Sequence, residues 1–137
     1  VNRLIEQLKR HEGFRSKPYK DTVGKTTIGY GRNLTDVGVS QSESNKMLLH
    51  DVDRAKYDVI NNIRSYTQLD QVRRDVLINM SFNLGINKLL KFKNMLKAIN
   101  DKNFYLAAIE MLDSKWAKQV GSRAIELADQ MSTGKYK

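Results

Sequence analysis

At 137 residues, 40% of them apolar, the chain suits one compact domain that buries about two thirds of its unfolded surface, and a large two-domain enzyme is excluded. It has no cysteine, and its two histidines, His11 and His50, lack metal-ligand spacing. Neither a disulfide framework nor a thiolate metal site can be built, so any catalysis falls to carboxylates, hydroxyls or lysines. The 24 Lys and Arg against 15 Asp and Glu give +9 at pH 7, which implies attraction to a polyanion such as nucleic acid, anionic lipid or wall polymer without choosing among them.

From the N-terminus, Asn2 can cap a helix over 2–12 with the apolar stripe Leu4, Ile5 and Leu8, and Gly13 is placed to end it in a left-handed conformation. Glu12 then stands at the carboxyl end of a helix. From Phe14 to Leu34 the helical period disappears. Pro18, Gly24, Gly29 and Gly31 punctuate short runs rich in Thr, Tyr and Ile, which predicts a small antiparallel sheet in a lobe over about 13–40.

Ser40 and Glu43 have capping-box spacing, and Leu48, Val52, Ala55, Val59 and Ile63 recur at helical period. A connecting helix of about five or six turns therefore covers about 41–63. Asp70 can cap the next helix, with Val72, Val76, Met80 and Leu84 on one side and Gly85 as its stop. Shorter helices are expected over 88–99, 104–112 and 122–131. In the basic stretch 115–137, Trp116, Ala124, Leu127, Ala128 and Met131 form an apolar face that either closes a core or meets a membrane surface, with the core favoured.

The longest apolar run, Phe104 to Ile109, falls far short of the ~20 residues that span a bilayer, and the N-terminus lacks a secretory hydrophobic core. The expected fold is α+β and two-lobed: a small antiparallel sheet lobe, a long connecting helix, and a helical lobe over about 64–137 that also takes in helix 2–12. A cleft between the lobes is the natural ligand site.

Three segments concentrate the unusual chemistry: His11-Glu12-Gly13-Phe14, then Tyr19-Lys20-Asp21-Thr22, then Thr26-Thr27-Ile28-Gly29-Tyr30-Gly31. Glycosidases need one carboxylic acid to protonate the leaving oxygen and one carboxylate to activate water or steady an oxocarbenium-like transition state. Glu12, at the negative end of a helix dipole, suits the first role. Asp21, in a polar turn beside Lys20, Thr22 and Lys25, suits the second. The spacing alone leaves a plain alternative open, in which Glu12 ends a helix and Asp21 closes a turn. Gly29 and Gly31 read as a tight strand connection, since the phosphate-cradling G-x-x-x-x-G-K-[ST] pattern is absent.

The order Glu-Gly, Tyr-Lys-Asp, Thr-Ile-Gly-x-Gly resembles the phage lysozyme or endolysin family, of the T-even phage lysozyme type. The likeness runs in register through Asp51-Val52-Asp53, Val72-Arg73-Arg74, Ile78 to Gly85, Ser114-Lys115-Trp116, Arg123-Ala124 and Thr133-Gly134, which is essentially the whole chain. The resemblance implies a lysozyme-like fold. It also implies cleavage of the β-1,4 bond between N-acetylmuramic acid and N-acetylglucosamine in peptidoglycan, without cofactor or metal. It matches Glu12 to the general acid, Asp21 to the second carboxylate and Thr27 to the hydroxyl beside the water. Tyr30, Phe82 and Asn83 become candidate substrate-binding residues.

The sequence departs from that type at Arg32, where the family has histidine, and at Asn83, where it has glutamine; the stretch from Arg32 to Ser40 is shortened. Because the family's histidine meets an aspartate, Arg32 is expected to pair with Asp51. The implied partners are peptidoglycan and, through the positive charge, teichoic acids or lipopolysaccharide, with no specific nucleic acid and a monomeric protein. The implied setting is accumulation in the host cytoplasm before action at the wall. Two rivals stand beside this reading. A lytic transglycosylase would break the same bond with one acid alone, and a basic nucleic-acid-binding helical domain would explain the charge but not the register of Glu12, Asp21 and Thr27.

Overall fold

In the computed structural model, which describes residues 2–136, the chain begins with α1 (Asn2–Glu12), β1 (Arg15–Lys20), β2 (Thr26–Gly29), β3 (Arg32–Asn33) and α2 (Gln41–Asn62). A 3₁₀ turn (Arg64–Gln68) leads to α3 (Gln71–Leu84), α4 (Ile86–Leu89), α5 (Lys93–Asn100), α6 (Phe104–Leu112), α7 (Lys115–Val120) and α8 (Ser122–Thr133). Helices outnumber strands and the one sheet is antiparallel, so the α+β class read from the sequence holds. Two compact units emerge, one ending at Met47 and one beginning at Leu48, and α2 runs through the boundary.

In the first unit the strands lie in the order β1-β2-β3, with Tyr19 opposite Thr27 and Thr27 opposite Asn33. The β1–β2 register shifts between Arg15 and Tyr19, the stretch that holds Pro18. A proline has no N–H to give to a ladder and fits where pairing is irregular. Gly13, at φ +69°, closes α1 by donating its N–H to the Lys9 carbonyl at 2.9 Å. Helix α1 falls in this unit with the sheet. The chain passes through Gly13 directly into β1, and the turn after β2 receives the Glu12 side chain.

At the start of α2 the capping box forms in both directions: the Glu43 N–H donates to Ser40 Oγ at 3.1 Å, and the Ser40 N–H donates to Glu43 Oε1 at 2.9 Å. In the second unit, Asp70 Oδ2 caps α3 by accepting from the Arg73 N–H at 3.3 Å, and the Gly85 N–H ends it on the Ser81 carbonyl at 2.8 Å. The apolar core runs from Ala55 to Met131 and includes Val76, Leu77, Met80, Leu89, Met95, Ile99, Met111 and Trp116. Arg73 fastens three helices there. Its guanidinium donates to the Met131 and Ser132 carbonyls at 2.7 and 3.0 Å and stacks 3.8 Å from the Phe104 ring centroid.

Two helix assignments change. The helix expected over 88–99 is two, α4 and α5, because the chain turns through Leu90 to Phe92, with the Phe92 N–H bonded to the Leu89 carbonyl. The segment around Trp116 is a further short helix, α7, capped by Ser114 Oγ accepting from the Ala117 N–H at 3.1 Å. Trp116 is 3% exposed and packs edge-on to Phe92, while Ala124, Leu127, Ala128 and Met131 of α8 are all buried. The apolar face of 115–137 therefore closes the core.

Candidate active site

Glu12 is the last residue of α1, and what it faces explains a glycine. A Cβ added at Gly31 would lie 2.7 Å from Glu12 Oε2 and 3.0 Å from its Cδ. Gly31 also sits at φ +76°, where side chains other than hydrogen are strained. The tight strand connection read from Gly-Tyr-Gly is thus also the space that the Glu12 carboxylate occupies.

Asp21 follows β1 and folds the next four residues around itself. Its Oδ1 accepts the N–H groups of Val23 at 3.0 Å and Lys25 at 2.8 Å, and its carbonyl accepts from Gly24 at 3.1 Å. The Asp21 N–H in turn donates to the Lys25 carbonyl at 2.9 Å. Thr27, next along β2, is 4% exposed and donates its hydroxyl to that same carbonyl at 3.1 Å. One peptide neighbourhood, the main chain of Lys25, therefore positions both Asp21 and Thr27. Its side chain points elsewhere, pairing with Asp36 at 3.3 Å.

Chemically, this leaves two acceptors to spare. Asp21 Oδ2 makes no hydrogen bond within the described residues, and the Thr27 oxygen, having given its proton to a carbonyl, retains lone pairs. Tyr30 is half-exposed and braced from its own unit, with the Phe14 ring 5.4 Å away and Lys9 Nζ 5.8 Å from its centroid.

The partner expected for Arg32 is corrected. Its guanidinium meets Glu43, with Nη1 to Oε1 at 2.9 Å and Nη2 bonded to Oε2, and Nη1 also donates to the Gly38 carbonyl at 3.1 Å. Asp51 pairs with Arg54 on its own helix. The fork of the guanidinium prefers two bonds to one carboxylate, and the capping box already fixes Glu43 at the start of α2. The Arg32 hydrogen bond, and then the Ser40 N–H, pull Glu43 down to about 2 from an ordinary 4.5. Glu43 raises Arg32 in turn.

Phe82 and Asn83 lie at the end of α3 in the second unit. Phe82 is half-exposed and borders a cavity of about 330 Å³ with Val52, Ile78, Asn79 and Arg123. Asn83 Oδ1 accepts from Trp116 Nε1 at 2.7 Å, which orients the amide and leaves its NH₂ free of side-chain partners among the described residues. A cavity of about 720 Å³ lies among α3 to α7 and is lined by none of the candidate catalytic residues. No group of three His, Cys, Asp or Glu that could hold a metal occurs among the described residues.

Sequence reasoning read Glu43 as a capping residue but missed its pairing with Arg32, and it missed the roles of Gly31 and the Lys25 main chain. The paired glycines carried a signal for Gly31. The other two depend on tertiary approach and on backbone atoms common to every residue type.

Comparison with known proteins converges on one group. A family profile described as Phage lysozyme matches residues 9–130. The chain is 31% identical to the Probable T4-type lysozyme 2 of Dictyostelium discoideum, over all of this chain and 98% of that protein. It is 29% identical to the Probable T4-type lysozyme 1 of the same organism, over 98% and 96% of the two chains. An endolysin of Acyrthosiphon pisum secondary endosymbiont phage 1 is 30% identical over 81% of this chain and 75% of its own. The first alignment runs to 170 positions against 137 residues here, so that relative carries segments absent from this chain.

Proposed function

We propose that this chain, which belongs to the phage lysozyme family, lyses bacterial peptidoglycan by hydrolysing the β-1,4 bond between N-acetylmuramic acid and N-acetylglucosamine, with inversion at the anomeric carbon. The observation that carries the reading is the shared anchoring of Asp21 and Thr27 on the Lys25 main chain. A water that donates one hydrogen to Asp21 Oδ2 and the other to Thr27 Oγ1 has both protons held and a lone pair free to attack. Its position is then set by two fixed acceptors before the sugar arrives, which is where the entropic advantage of catalysis originates.

In the reaction Glu12 delivers its proton to the departing glycosidic oxygen while Asp21 removes one from the attacking water, and the oxocarbenium-like charge passes between them. Inverting enzymes hold their two carboxyl groups about 6.5–9.5 Å apart to admit that water, against about 5 Å where the second carboxylate is the nucleophile. A threonine dedicated to the water favours the first arrangement. Phe82 offers an apolar face to a sugar ring and the Asn83 NH₂ a hydrogen bond to an acetamido carbonyl. The protein works as a monomer.

NMR of the fresh product tests this: the α-anomer is expected first, and an initial β-anomer overturns the roles of Asp21 and Thr27. Mass spectrometry of the same digest is expected to find reducing ends. Anhydro ends in their place would make the protein a transglycosylase.

A further inference from the structure

The cavity of about 720 Å³ in the second unit is ringed by cations that nothing in the fold uses. Lys88, Lys91, Lys93 and Lys115 line it, all exposed, and none makes an ion pair among the described residues, where the pairs are Lys9–Glu6, Lys25–Asp36, Arg32–Glu43, Arg54–Asp51 and Arg73–Asp70. Glu110 and Asp113 share the lining yet stay apart from these ammonium groups. Three of the four lysines come from one stretch, Ile86 to Asn100, that contains no acidic residue. Solvated surface lysines ordinarily diverge into water. These four line one concavity together with the buried Trp116 and Met95 and with Phe92.

We propose that this cavity binds a polyol phosphate chain, the poly(glycerol phosphate) or poly(ribitol phosphate) type of wall polymer, and so holds the protein at the surface on which it acts. The chemistry of the lining selects this class. Every cation is a lysine, a point charge on a flexible stem that suits monodentate contacts to phosphodiester oxygens at varied spacing. Arginine, whose planar fork would fix a carboxylate or a phosphate in one bidentate geometry, is absent from the lining, so the contacts are those of point charges. Glu110 and Asp113 can accept, and Asn94 and Gln119 can both donate and accept, hydrogen bonds with the hydroxyls that lie between the phosphates. A flexible single chain can enter a concavity of this size. Duplex nucleic acid, stiff and with its phosphates on convex ridges, cannot follow a concavity of this size.

The inference rests on the proposed function only for where the polymer is met. It is testable apart from it, because poly(glycerol phosphate) contains no glycosidic bond to cut. Trp116, the one tryptophan of the chain, lies in the cavity and reports occupancy through its emission. Soluble poly(glycerol phosphate) is titrated into the full chain, into the triple variant Lys88→Gln, Lys91→Gln, Lys93→Gln, and into a charge-matched control, Lys46→Gln, Lys56→Gln, Lys135→Gln. Circular dichroism and Tm are recorded for all three.

A saturable change in emission is expected, with Kd at least tenfold weaker in the cavity variant, less than twofold weaker in the control, and weaker for every form as salt rises. Equal losses in the two variants would reduce the effect to net charge and overturn the site. So would an absence of saturable binding in wild type. Duplex DNA or lipopolysaccharide quenching Trp116 as tightly, at equal phosphate, would overturn the assignment to polyol phosphate.

Discussion

Replacing the acid of Glu12 by an amide keeps the shape of the side chain and removes the proton that a leaving oxygen requires. Glu12→Gln is therefore expected to abolish clearing of peptidoglycan with an unchanged circular dichroism spectrum, and clearing near the wild-type rate would remove Glu12 from the mechanism. Its neighbour yields a second expectation. Gly31→Ala places a methyl 2.7 Å from the carboxylate, and the left-handed backbone adds roughly 1–2 kcal/mol of strain. The carboxylate must move, and a displacement of that kind costs on the order of 100-fold in kcat. Gly38→Ala has the same strain, at φ +67°, but nothing within 4 Å of the new methyl, so it should lower Tm with activity retained. Equal activity of the two variants would show that the space beside Glu12 is immaterial. The Glu-Gly and Gly-Tyr-Gly pairs were legible in the sequence as motifs; that one of those glycines exists for the glutamate was not, because nothing local records the approach of two turns.

Among the elements, the start of α2 concentrates the most chemistry in one side chain. Glu43 completes the capping box and holds Arg32 of β3, so it joins strand to helix while ending the helix's search for its first bonds. Its carboxyl is depressed to about 2, so the stabilisation is fully present above the ordinary 4.5 and is lost as pH falls through 2. In thermal melts, wild type should exceed Glu43→Gln by a constant margin from pH 8 down to about 5, and the margin should vanish towards pH 2. A pH-independent margin would contradict the ion pair. Asp51 was expected in this partnership because the family resemblance carries a histidine–aspartate pair onto Arg32 and Asp51; Glu43, about two turns earlier on the same helix, offers a similar carboxylate, and only tertiary geometry chooses. Caps were the readable part: Ser40 with Glu43, Asp70 and Gly85 each stand where their chemistry puts them. The division of α4 from α5 was hidden because Leu89, Leu90, Phe92, Met95 and Leu96 continue the apolar pattern across the turn, and the six residues of α7 are too few to show a period.

For the whole molecule, the decisive asymmetry is where apolar surface is buried. Among the described residues, the apolar core lies from Ala55 onward, and in the unit that ends at Met47 only Thr27 is buried. Local stability follows burial, so in hydrogen exchange on the full chain the amides of α3, α6 and α8 should exchange most slowly and those of β2 and β3 much sooner. Equal protection of the sheet and of α3 would show that something other than core burial governs opening.

That asymmetry also orders events in time. Synthesis runs from the N-terminus, so Glu12, Asp21 and Thr27 leave the ribosome before any part of the apolar core exists. At that stage the nascent chain has the three proposed catalytic groups and none of the packing from which stability comes, and a stretch of fewer than 50 or so residues rarely stands without such packing. Under the proposed mechanism, competence waits on the core that Met131 completes, and a product stalled before that residue is expected to be inert.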